Sequence, residues 1–545
     1  MTAARALSLS VIVLALALLT LIAWVLLVAD PRWPTMLLVG DDAGYYLAIA
    51  RNWCLGYGSS YDRIHPTNGF NPLYTVLLVA FDRLLVPGAS VLGCYRVGLL
   101  LSLLALLAGL VGLIRLIGRF VDAQVFGGDL RGLAVAASVA FYVFFIVPKK
   151  QFGMDAALVL GLGTFYLDRA LRGGLLAPSP RAALVDGLLL GLLVLARVDN
   201  LPLVVAAFGV MVLLAPGRPR GARALAQRAL WTSLTVAPYV LWSTSRFGTW
   251  MPVSARIKSS FPHPDLAASL GAIRHTSVNA IDLASFLVAY AAAWIVVVAG
   301  VRRALAAAPG TRICAALPDP RAALLAVLAV TLVLRFTYML GFSRTDVQGG
   351  YVMLAHVFNL LVFFLLVEGL ARRAPAHAGR LAAAAAILLI AVSLGLFAGK
   401  VVGMRERLRG RGLADEWTLA QQIRSATGPR DVLYGGAFGL VGFFADRAWI
   451  NGDGVANSYD YQRAFERDGL ADWLRRSGVT HVVWATSERG PSPAAPIRLD
   501  VEGVLAGRIN TIEVDPRDIV FEGRLARGLA RDRTGSKVYV ARWRR

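Results

Sequence analysis

Long apolar runs separated by short polar connections occupy the chain up to residue 403. Most are roughly 16–22 residues long, close to the length at which a helix crosses the hydrocarbon core of a bilayer. The first run is too long for a signal-peptide core, and no small-residue cleavage site follows it, so we interpret it as a retained span. The runs interpreted as spans are 7–29, 97–114, 132–147, 156–171, 183–196, 200–215, 230–243, 281–301, 322–341, 351–371 and 381–400. The pattern predicts a polytopic α-helical membrane protein with about eleven transmembrane helices.

One further run, 73–87, carries Asp82 and Arg83 in its middle. A charge pair at the centre of a bilayer is costly, so we expect this run to lie at the membrane interface as an amphipathic segment. Two of the interpreted spans, 183–196 and 200–215, are short, and Arg197 and Asp199 lie between them. We expect these two charges to neutralise each other at a tight turn, or to line a wet cavity.

The arginines in the connections predict the orientation of the chain. Short loops rich in Lys and Arg stay on the cytoplasmic side of a membrane. If 73–87 does not span, every arginine-rich short loop falls on one side. These loops contain Arg115, Arg119 and Arg131; Arg172 and Arg181; Arg218, Arg220, Arg223 and Arg228; Arg302, Arg303, Arg312 and Arg321; and Arg372, Arg373 and Arg380. The pattern predicts a cytoplasmic N-terminus and an external C-terminus.

The composition agrees with a membrane location and excludes some other classes. Of the 545 residues, 57% are hydrophobic and 17% are charged, which is more apolar surface than a soluble protein can cover. The net charge of +22 comes mainly from the loop arginines, and no basic-aromatic module is present, so we expect anionic lipid and not nucleic acid as the partner. The three cysteines are far apart, which argues against a disulfide framework or a zinc site.

Beyond residue 404 the apolar runs shorten and acidic residues become common. Stretches with strand character alternate with helical ones, and the amphipathic Trp417–Arg424 region joins them to the membrane part. The predicted strands include Asp431–Tyr434, Thr480–Ala485 and Lys537–Val540, and the predicted helices include Leu470–Arg476. We therefore divide the chain into a transmembrane domain, 1–403, and a small external α/β domain, 404–545.

The first external loop, within 30–94, carries the most suggestive chemistry. Asp41 and Asp42 stand just outside the first span, where a carboxylate can serve as a general base and one of an adjacent pair can have a raised pKa. The alternative is that Asp42 only caps the helix expected over Tyr45–Asn52. A cap needs a single Asp and leaves the polar segment His65–Asn71 unexplained, which favours a functional role.

Several short motifs occur along the chain in external loops and at span ends. They are Asp41-Asp42-Ala43 with Tyr45-Tyr46, Ala50-Arg51-Asn52, His65-Pro66-Thr67-Asn68-Gly69-Phe70, Gly153-Met154-Asp155, Ala196-Arg197-Val198-Asp199, Phe247–Ser254 with Lys258, and Asn451–Gly454 with Asn457-Ser458. These motifs resemble those of the GT-C superfamily of integral-membrane glycosyltransferases, which includes protein O-mannosyltransferases, aminoarabinose transferases of lipid A and mycobacterial arabinofuranosyltransferases. They cover most of the chain and do not specify a substrate.

The resemblance implies the GT-C fold and an inverting transfer from a polyprenyl-phosphate sugar. One carboxylate would deprotonate the acceptor hydroxyl, and Asp41 is favoured slightly over Asp42. Cations on the external face would bind the leaving phosphate. The candidates are Arg256 and Lys258 first, followed by Lys149, Lys150 and Arg344. For all of them, anchoring of a span end at the interface is the alternative, and Arg344 could instead pair with Asp346.

Further residues could contact the substrate. Tyr45 and Tyr46 could stack on a sugar, although interfacial tyrosines are common. His65 and Asn68 belong to the polar loop segment, where hydrogen bonding inside the loop is the alternative for His65. Asp155 could orient a catalytic group or help Asp41 and Asp42 hold a divalent cation. No cofactor is firmly implied, and the requirement for a metal stays open.

Together these features predict a glycosyltransferase in the bacterial inner (plasma) membrane. Its partners would be a polyprenyl-phosphate sugar donor, membrane lipids, and an envelope glycan, lipid or protein that carries the acceptor hydroxyl. The alternative is a transporter or flippase of a lipid-linked sugar intermediate. Such transporters often consist of two related halves. No internal repeat is visible in this chain, which favours the enzyme.

Overall fold

A computed structural model of the chain describes residues 2–149, 152–173, 175–214, 219–274, 280–306, 319–345, 353–409, 415–436, 438–467, 469–486, 497–502, 509–525 and 536–543. The helices of the first part are α1 Ala3–Leu27, α2 Arg32–Leu37, α3 Ala43–Cys54, α4 Pro72–Leu85, α5 Val91–Phe120, α6 Ala123–Ala140, α7 Ala156–Gly173, α8 Pro180–Ala196, α9 Leu201–Leu214, α10 Pro219–Phe247, α11 Val253–Ile257, α12 Leu266–Arg274, α13 Ala280–Ala306, α14 Pro320–Phe342, α15 Met353–Arg373 and α16 Ala378–Arg409. Each run interpreted as a span coincides with one of these helices.

Seven helical segments in the described ranges are long and apolar enough to cross a membrane. They are Ala3–Leu27, Val91–Phe120, Ala123–Ile146, Leu283–Arg302, Pro320–Phe342, Met353–Arg373 and Pro375–Gly403. Val198–Leu214 is a shorter apolar helix. The protein is therefore a multi-pass membrane protein, as its sequence predicts, whereas the count of eleven spans stays a prediction.

The run 73–87 forms the helix α4, which is not among the candidate spans. Pro72 occupies its first turn, where the missing N–H of proline costs nothing. Asp82, whose charge argued against a spanning role, is fully buried inside the protein. Burial raises its pKa to about 7, so this carboxyl can hold a proton near neutral pH.

Close packing between α5 and α7 forms the centre of the helical bundle. A Cβ added to Gly112 would lie 2.4 Å from the Thr164 hydroxyl oxygen, and one added to Gly161 would lie 3.0 Å from the Ala105 carbonyl oxygen. Small residues let membrane helices approach this closely. The contact fixes α7, and with it Asp155 directly before the first residue of that helix.

The C-terminal part contains a mixed five-stranded sheet. Its helices are α17 Glu416–Ala426, α18 Gly439–Ala445, α19 Tyr459–Glu466 and α20 Leu470–Arg476, and its strands are β1 Val432–Gly435, β2 Ala448–Asn451, β3 His481–Thr486, β4 Ile497–Glu502, β5 Ile509–Val514, β6 Ile519–Leu525 and β7 Ser536–Arg542. The strand order is β2-β1-β3-β7-β6, with β4 and β5 in a separate antiparallel pair. Strand β1 runs parallel to β2 and β3, and β7 runs antiparallel to β3 and β6.

These strands and α20 confirm the α/β character predicted for this part. The exact division at residue 404 stays a prediction, because α16 continues to Arg409 and residues 410–414 lie outside the described ranges. The predicted amphipathic region 417–424 lies within α17, which packs on α2, α18 and β6.

The sheet domain sits directly on the first loop, because α18 packs against α3 with no side chain between them. A Cβ added to Gly44 would lie 2.0 Å from the backbone carbonyl of Gly439. Only glycine allows two backbones to approach this closely. The contact brings the carboxylate pair and the C-terminal domain together, and this arrangement defines the site.

Candidate active site

A cavity of about 490 Å³ opens between the first loop, the transmembrane helices and the C-terminal domain. Its walls come from the start of α3, the start of α7, the turn between α8 and α9, the segment that contains α11, the end of α14 and the loop after β2. The residues from the family-like motifs that line it are Asp42, Tyr45, Tyr46, Gly69, Met154, Asp155, Arg197, Val198, Asp199, Trp250, Met251, Pro252, Ser254 and Lys258. Motifs spread over more than 200 residues of sequence therefore meet in one cavity.

Asp42 and Asp41 face different surroundings although they are adjacent. Asp42 lines the cavity. The Asp41 carboxylate instead accepts hydrogen bonds from the backbone N–H groups of Gly439 and Leu440, each at 3.0 Å. These are the first N–H groups of α18, which are unsatisfied within the helix and favour a negative partner.

Burial raises the pKa of Asp41 to about 7, and the two backbone N–H groups act against this rise. The Asp41 side chain is thus hydrogen-bonded to the C-terminal domain through both of its oxygens. Of the two carboxylates, Asp42 is the one that lines the cavity.

Tyr45 connects the cavity to the C-terminal domain. Its hydroxyl donates to Asp453 at 2.9 Å and accepts from the Asn451 side-chain amide at 3.1 Å. Burial raises the pKa of Asp453, the neighbouring Asp42 carboxylate adds to this rise, and Lys258 opposes it. Asp42 and Lys258 are therefore both near Asp453. In the sequence, Asp453 belongs to a glycine-rich turn. Its contact with Tyr45 joins residues 408 positions apart, so the sequence alone could not predict it.

A buried polar network lines the part of the cavity formed by the start of α7 and the turn between α8 and α9. Asp155 is fully buried and forms an ion pair of 3.3 Å with Arg197. The Tyr46 hydroxyl donates to Asp155 at 3.2 Å and accepts from the Asn71 amide at 2.9 Å, and the same amide also donates to Asp155. Three motifs distant in sequence share this network, which fixes the wall below Asp42.

Arg335 is a cavity residue that the sequence reasoning missed. It lies on α14, lines the cavity, is 5% exposed and forms an ion pair with Asp199. Asp199 also pairs with Arg197 at 3.0 Å and both residues line the cavity, so the two alternatives given for these charges occur together. A lone arginine inside the apolar run 322–341 was the available signal, because charge within a span is expensive unless it lines a site.

One wall of the cavity is apolar. Leu201, Pro202 and Val205 of α9 face Leu334, Tyr338 and Met339 of α14, and Phe261 joins them. Several of these side chains are also exposed on the protein surface: Leu201 is 43% exposed and Val205 is 53% exposed. Such a wall beside a polar end suits an amphipathic ligand that enters from the lipid.

Two residues proposed to contact substrate, Asn68 and His65, are not among the residues that line this cavity. Asn68 is fully buried, where its amide donates to the Ser243 hydroxyl at 2.9 Å and its oxygen accepts from the Val253 backbone N–H at 2.9 Å. It ties the first loop to the segment that contains α11. His65 lies outside the cavity, where its ring bonds to Asp62 at 2.7 Å and to Ser477 at 3.2 Å.

Of the proposed phosphate-binding cations, Lys258 lines the cavity. Arg256 is exposed over the Tyr459 ring, 5.7 Å from its centroid. Lys149 contacts His356 at 2.9 Å and is not among the cavity residues. Arg344 donates its backbone N–H to the Lys258 carbonyl at 2.9 Å and stands between two cavity residues. Lys150 and Asp346 lie outside the described residues.

The donor set does not fit a divalent cation held by Asp41, Asp42 and Asp155. Asp41 is occupied by two backbone donors, and Asp155 by Arg197, Tyr46 and Asn71. Within the described ranges, no three His, Cys, Asp or Glu side chains form a group that could hold a metal ion. We therefore derive no step through a metal at these residues.

Comparisons with known proteins define the fold. No protein-family model and no curated protein matches the chain. The oligosaccharyltransferase of Archaeoglobus fulgidus in its apo form is similar, with a TM-score of 0.50 and 12% identity over 87% of this chain and 69% of that chain. ArnT from Cupriavidus metallidurans bound to undecaprenyl phosphate is similar with a TM-score of 0.46 and 15% identity, covering 97% of both chains.

The likeness to the oligosaccharyltransferase, at this low identity, shows the fold alone. The chain is a polytopic membrane protein of the GT-C fold with a small C-terminal α/β part, which confirms the predicted fold class. Its activity has to be argued from the cavity.

Proposed function

We propose that this protein is a glycosyltransferase that moves a sugar from a polyprenyl-phosphate donor to an acceptor hydroxyl. One observation carries the proposal. A single cavity combines a carboxylate, Asp42, with two cations, Lys258 and Arg335, and with an apolar wall between α9 and α14. A lipid-phosphate sugar needs these three features, since it has a reacting carbon, an anionic leaving group and a hydrocarbon chain.

In the proposed reaction, Asp42 takes the proton from the acceptor hydroxyl. The acceptor oxygen attacks the anomeric carbon and forms a new C–O bond. The bond from that carbon to the phosphate oxygen breaks, and its electron pair leaves with the phosphate. Attack opposite the leaving group inverts the anomeric centre. The phosphate is a good leaving group, so no protein acid is needed.

Lys258 and Arg335 are proposed to stabilise the negative charge that grows on the leaving phosphate. A guanidinium has five N–H donors, so Arg335 can keep its contact with Asp199 and still donate to a phosphate. The apolar residues of α9 and α14 would pack against the first isoprene units. The donor could then enter from the lipid beside these helices.

Asp41 is proposed as a positioning residue and Asp42 as the base. Our motif-based preference was the reverse. The change is supported by the two hydrogen bonds that tie Asp41 to α18 and by the position of Asp42 in the cavity wall. We further propose that catalysis occurs on the external face of a bacterial plasma membrane, with the N-terminus in the cytoplasm, as the arginine pattern predicts.

The test uses the purified full-length protein in nanodiscs. Binding of undecaprenyl phosphate is measured by native mass spectrometry, and transfer is measured with radiolabelled undecaprenyl-phosphate sugars and an envelope extract as acceptor. Asp42→Asn should lose transfer by about 100-fold or more, the usual contribution of a general base, and should still bind undecaprenyl phosphate. Asp30→Asn is the matched control, because Asp30 is in the same loop but pairs with Arg32 at the surface.

Full transfer by Asp42→Asn would contradict the role given to Asp42. Wild-type protein that binds undecaprenyl phosphate and moves labelled lipid sugar across a proteoliposome membrane without any transfer would indicate the transporter instead.

A further inference from the structure

A second cleft, of about 530 Å³, lies between the first loop and the C-terminal domain. His65 forms one side of it, and α19, α20 and the turn between them form the other. Its aromatic wall is the His65 ring packed on Trp473, with 4.6 Å between the ring centroids. Nothing in the reaction derived above uses this cleft, which we call the arginine cleft.

The arginine cleft carries an excess of positive charge. Arg463, Arg467 and Arg476 line it together with one acid, Asp460, which pairs with Arg463. In the described part of the chain, neither Arg467 nor Arg476 forms an ion pair. Exposed guanidiniums in a concave site suit carboxylate and phosphate groups, because their planar fork donates two parallel hydrogen bonds.

The arginine cleft is connected to the catalytic cavity through two segments. His65 precedes the cavity residue Gly69 by four positions, so their Cα atoms are at most about 14 Å apart. Tyr459 begins α19, and its hydroxyl donates to the carbonyl of the cavity residue Met251 at 2.6 Å. A ligand of a few sugar units in the cleft could therefore extend toward Asp42.

We propose that the arginine cleft binds the acceptor and that this acceptor is an anionic carbohydrate, bearing carboxylate or phosphate groups. This inference rests on the proposed function, since it names the acceptor class for that transfer. The concave shape, the aromatic wall and the connection to the catalytic cavity favour a glycan over a flat anionic lipid surface. The arginines hold the charged part of the glycan while its hydroxyl reaches Asp42.

The binding test needs no transfer and uses the full chain in phosphatidylcholine nanodiscs. Three probes are compared: a hyaluronan tetrasaccharide that carries carboxylates, mannose 6-phosphate that carries a phosphate, and maltotetraose that is neutral. Their binding is measured by saturation-transfer NMR. We expect the anionic probes to bind at least tenfold more tightly than maltotetraose. Arg467→Gln with Arg476→Gln should weaken their binding at least tenfold. Arg475→Gln is the control, because Arg475 is on the same helix but faces Asp472 and Trp543.

Equal binding of charged and neutral probes, or full binding by the double variant, would overturn the proposal. The proposal would also be overturned if adding phosphatidylglycerol to the nanodiscs abolished probe binding to the wild type and left binding to the double variant unchanged. That result would identify the cleft as a site for lipid headgroups. Both variants change exposed side chains, and a thermal-unfolding scan checks that they fold. Failure of this test leaves the Asp42 result intact, so the two proposals can fail separately.

Discussion

Asp446 provides the sharpest test of how the C-terminal domain is attached to the first loop. It ends α18 in the left-handed conformation, with φ of 52°, and its carboxylate accepts from both Arg51 and Arg63 of the first loop. We therefore choose Asp446→Asn. Asparagine tolerates the left-handed conformation about as well as aspartate, so the change removes the charge and leaves the backbone preference in place.

The expected cost follows from the burial of the three groups. The side chains of Arg51, Arg63 and Asp446 are 10%, 20% and 21% exposed. Removing one partner of a buried pair costs about 3–5 kcal/mol, and this partial exposure puts the estimate at the low end, about 3 kcal/mol. Burial acts against ionisation of Asp446, but the hydrogen bond from Arg63 and the charge of Arg51 keep its pKa below the usual range. The contribution should therefore be present at neutral pH and fade as the pH falls through that lowered pKa.

The assay is thermal unfolding at pH 7 and again at a pH below the lowered pKa of Asp446, with limited proteolysis at pH 7. Asp446→Asn should lower the melting temperature and speed cleavage at pH 7, and its melting temperature should differ less from that of wild type at a pH below the lowered pKa of Asp446. Asp472→Asn is the control, since Asp472 and Arg475 form an exposed pair worth about 0–1 kcal/mol. Equal melting temperatures for wild type and Asp446→Asn at pH 7 would refute the reasoning.

Three further predictions concern the same region. Because burial raises the pKa of Asp41 to about 7 in the folded protein, the wild type should lose stability relative to Asp41→Asn as the pH rises from 4 to 7. The melting temperature of wild type minus that of Asp41→Asn should therefore fall over this range, and a rise would contradict the reasoning. Gly44→Ala should cost about 3 kcal/mol of unfolding free energy by separating α3 from α18, whereas Gly118→Ala, which meets no atom within 4 Å, should fold normally. Arg335→Met should weaken undecaprenyl phosphate binding at least about tenfold in native mass spectrometry, whereas Arg256→Met should leave it unchanged. Equal binding by the two variants would contradict the assignment of Arg335.

The elements of the fold were largely predictable because their signals are local. Apolar length indicated the membrane helices, and alternation indicated β1, β3 and β7. The charge pair of 73–87 predicted that this run does not span, and α4 is not among the seven candidate segments. The number of true crossings could not be derived the same way, because α7, α8, α9 and α10 are short or polar in part and depend on their neighbours for burial.

The site was predictable as a set of motifs but not as a geometry. Adjacent residues such as Asp41 and Asp42 have identical chemistry, and their surroundings differ only because α18 arrives from almost 400 residues further along the chain. For the same reason Arg256 could not be told from Lys258, and His65 could not be assigned to the arginine cleft before α20 was in place. Arg335 differs, because a lone arginine inside the apolar run 322–341 is a local signal.

The contacts of α18 give the C-terminal domain a direct part in forming the proposed active site. The first N–H groups of α18 bind Asp41, and Asp446, which directly follows the helix, pairs with Arg51 and Arg63. Asp42 lies immediately after Asp41 and directly before α3, and Arg51 lies near the end of that helix. A carboxylate on a surface loop could turn freely toward water. Here α3 is bound to the C-terminal domain at both ends, so the direction of the Asp42 side chain is set by that docking. The orientation of Asp42 therefore depends on the docking of the C-terminal domain as much as on the membrane helices.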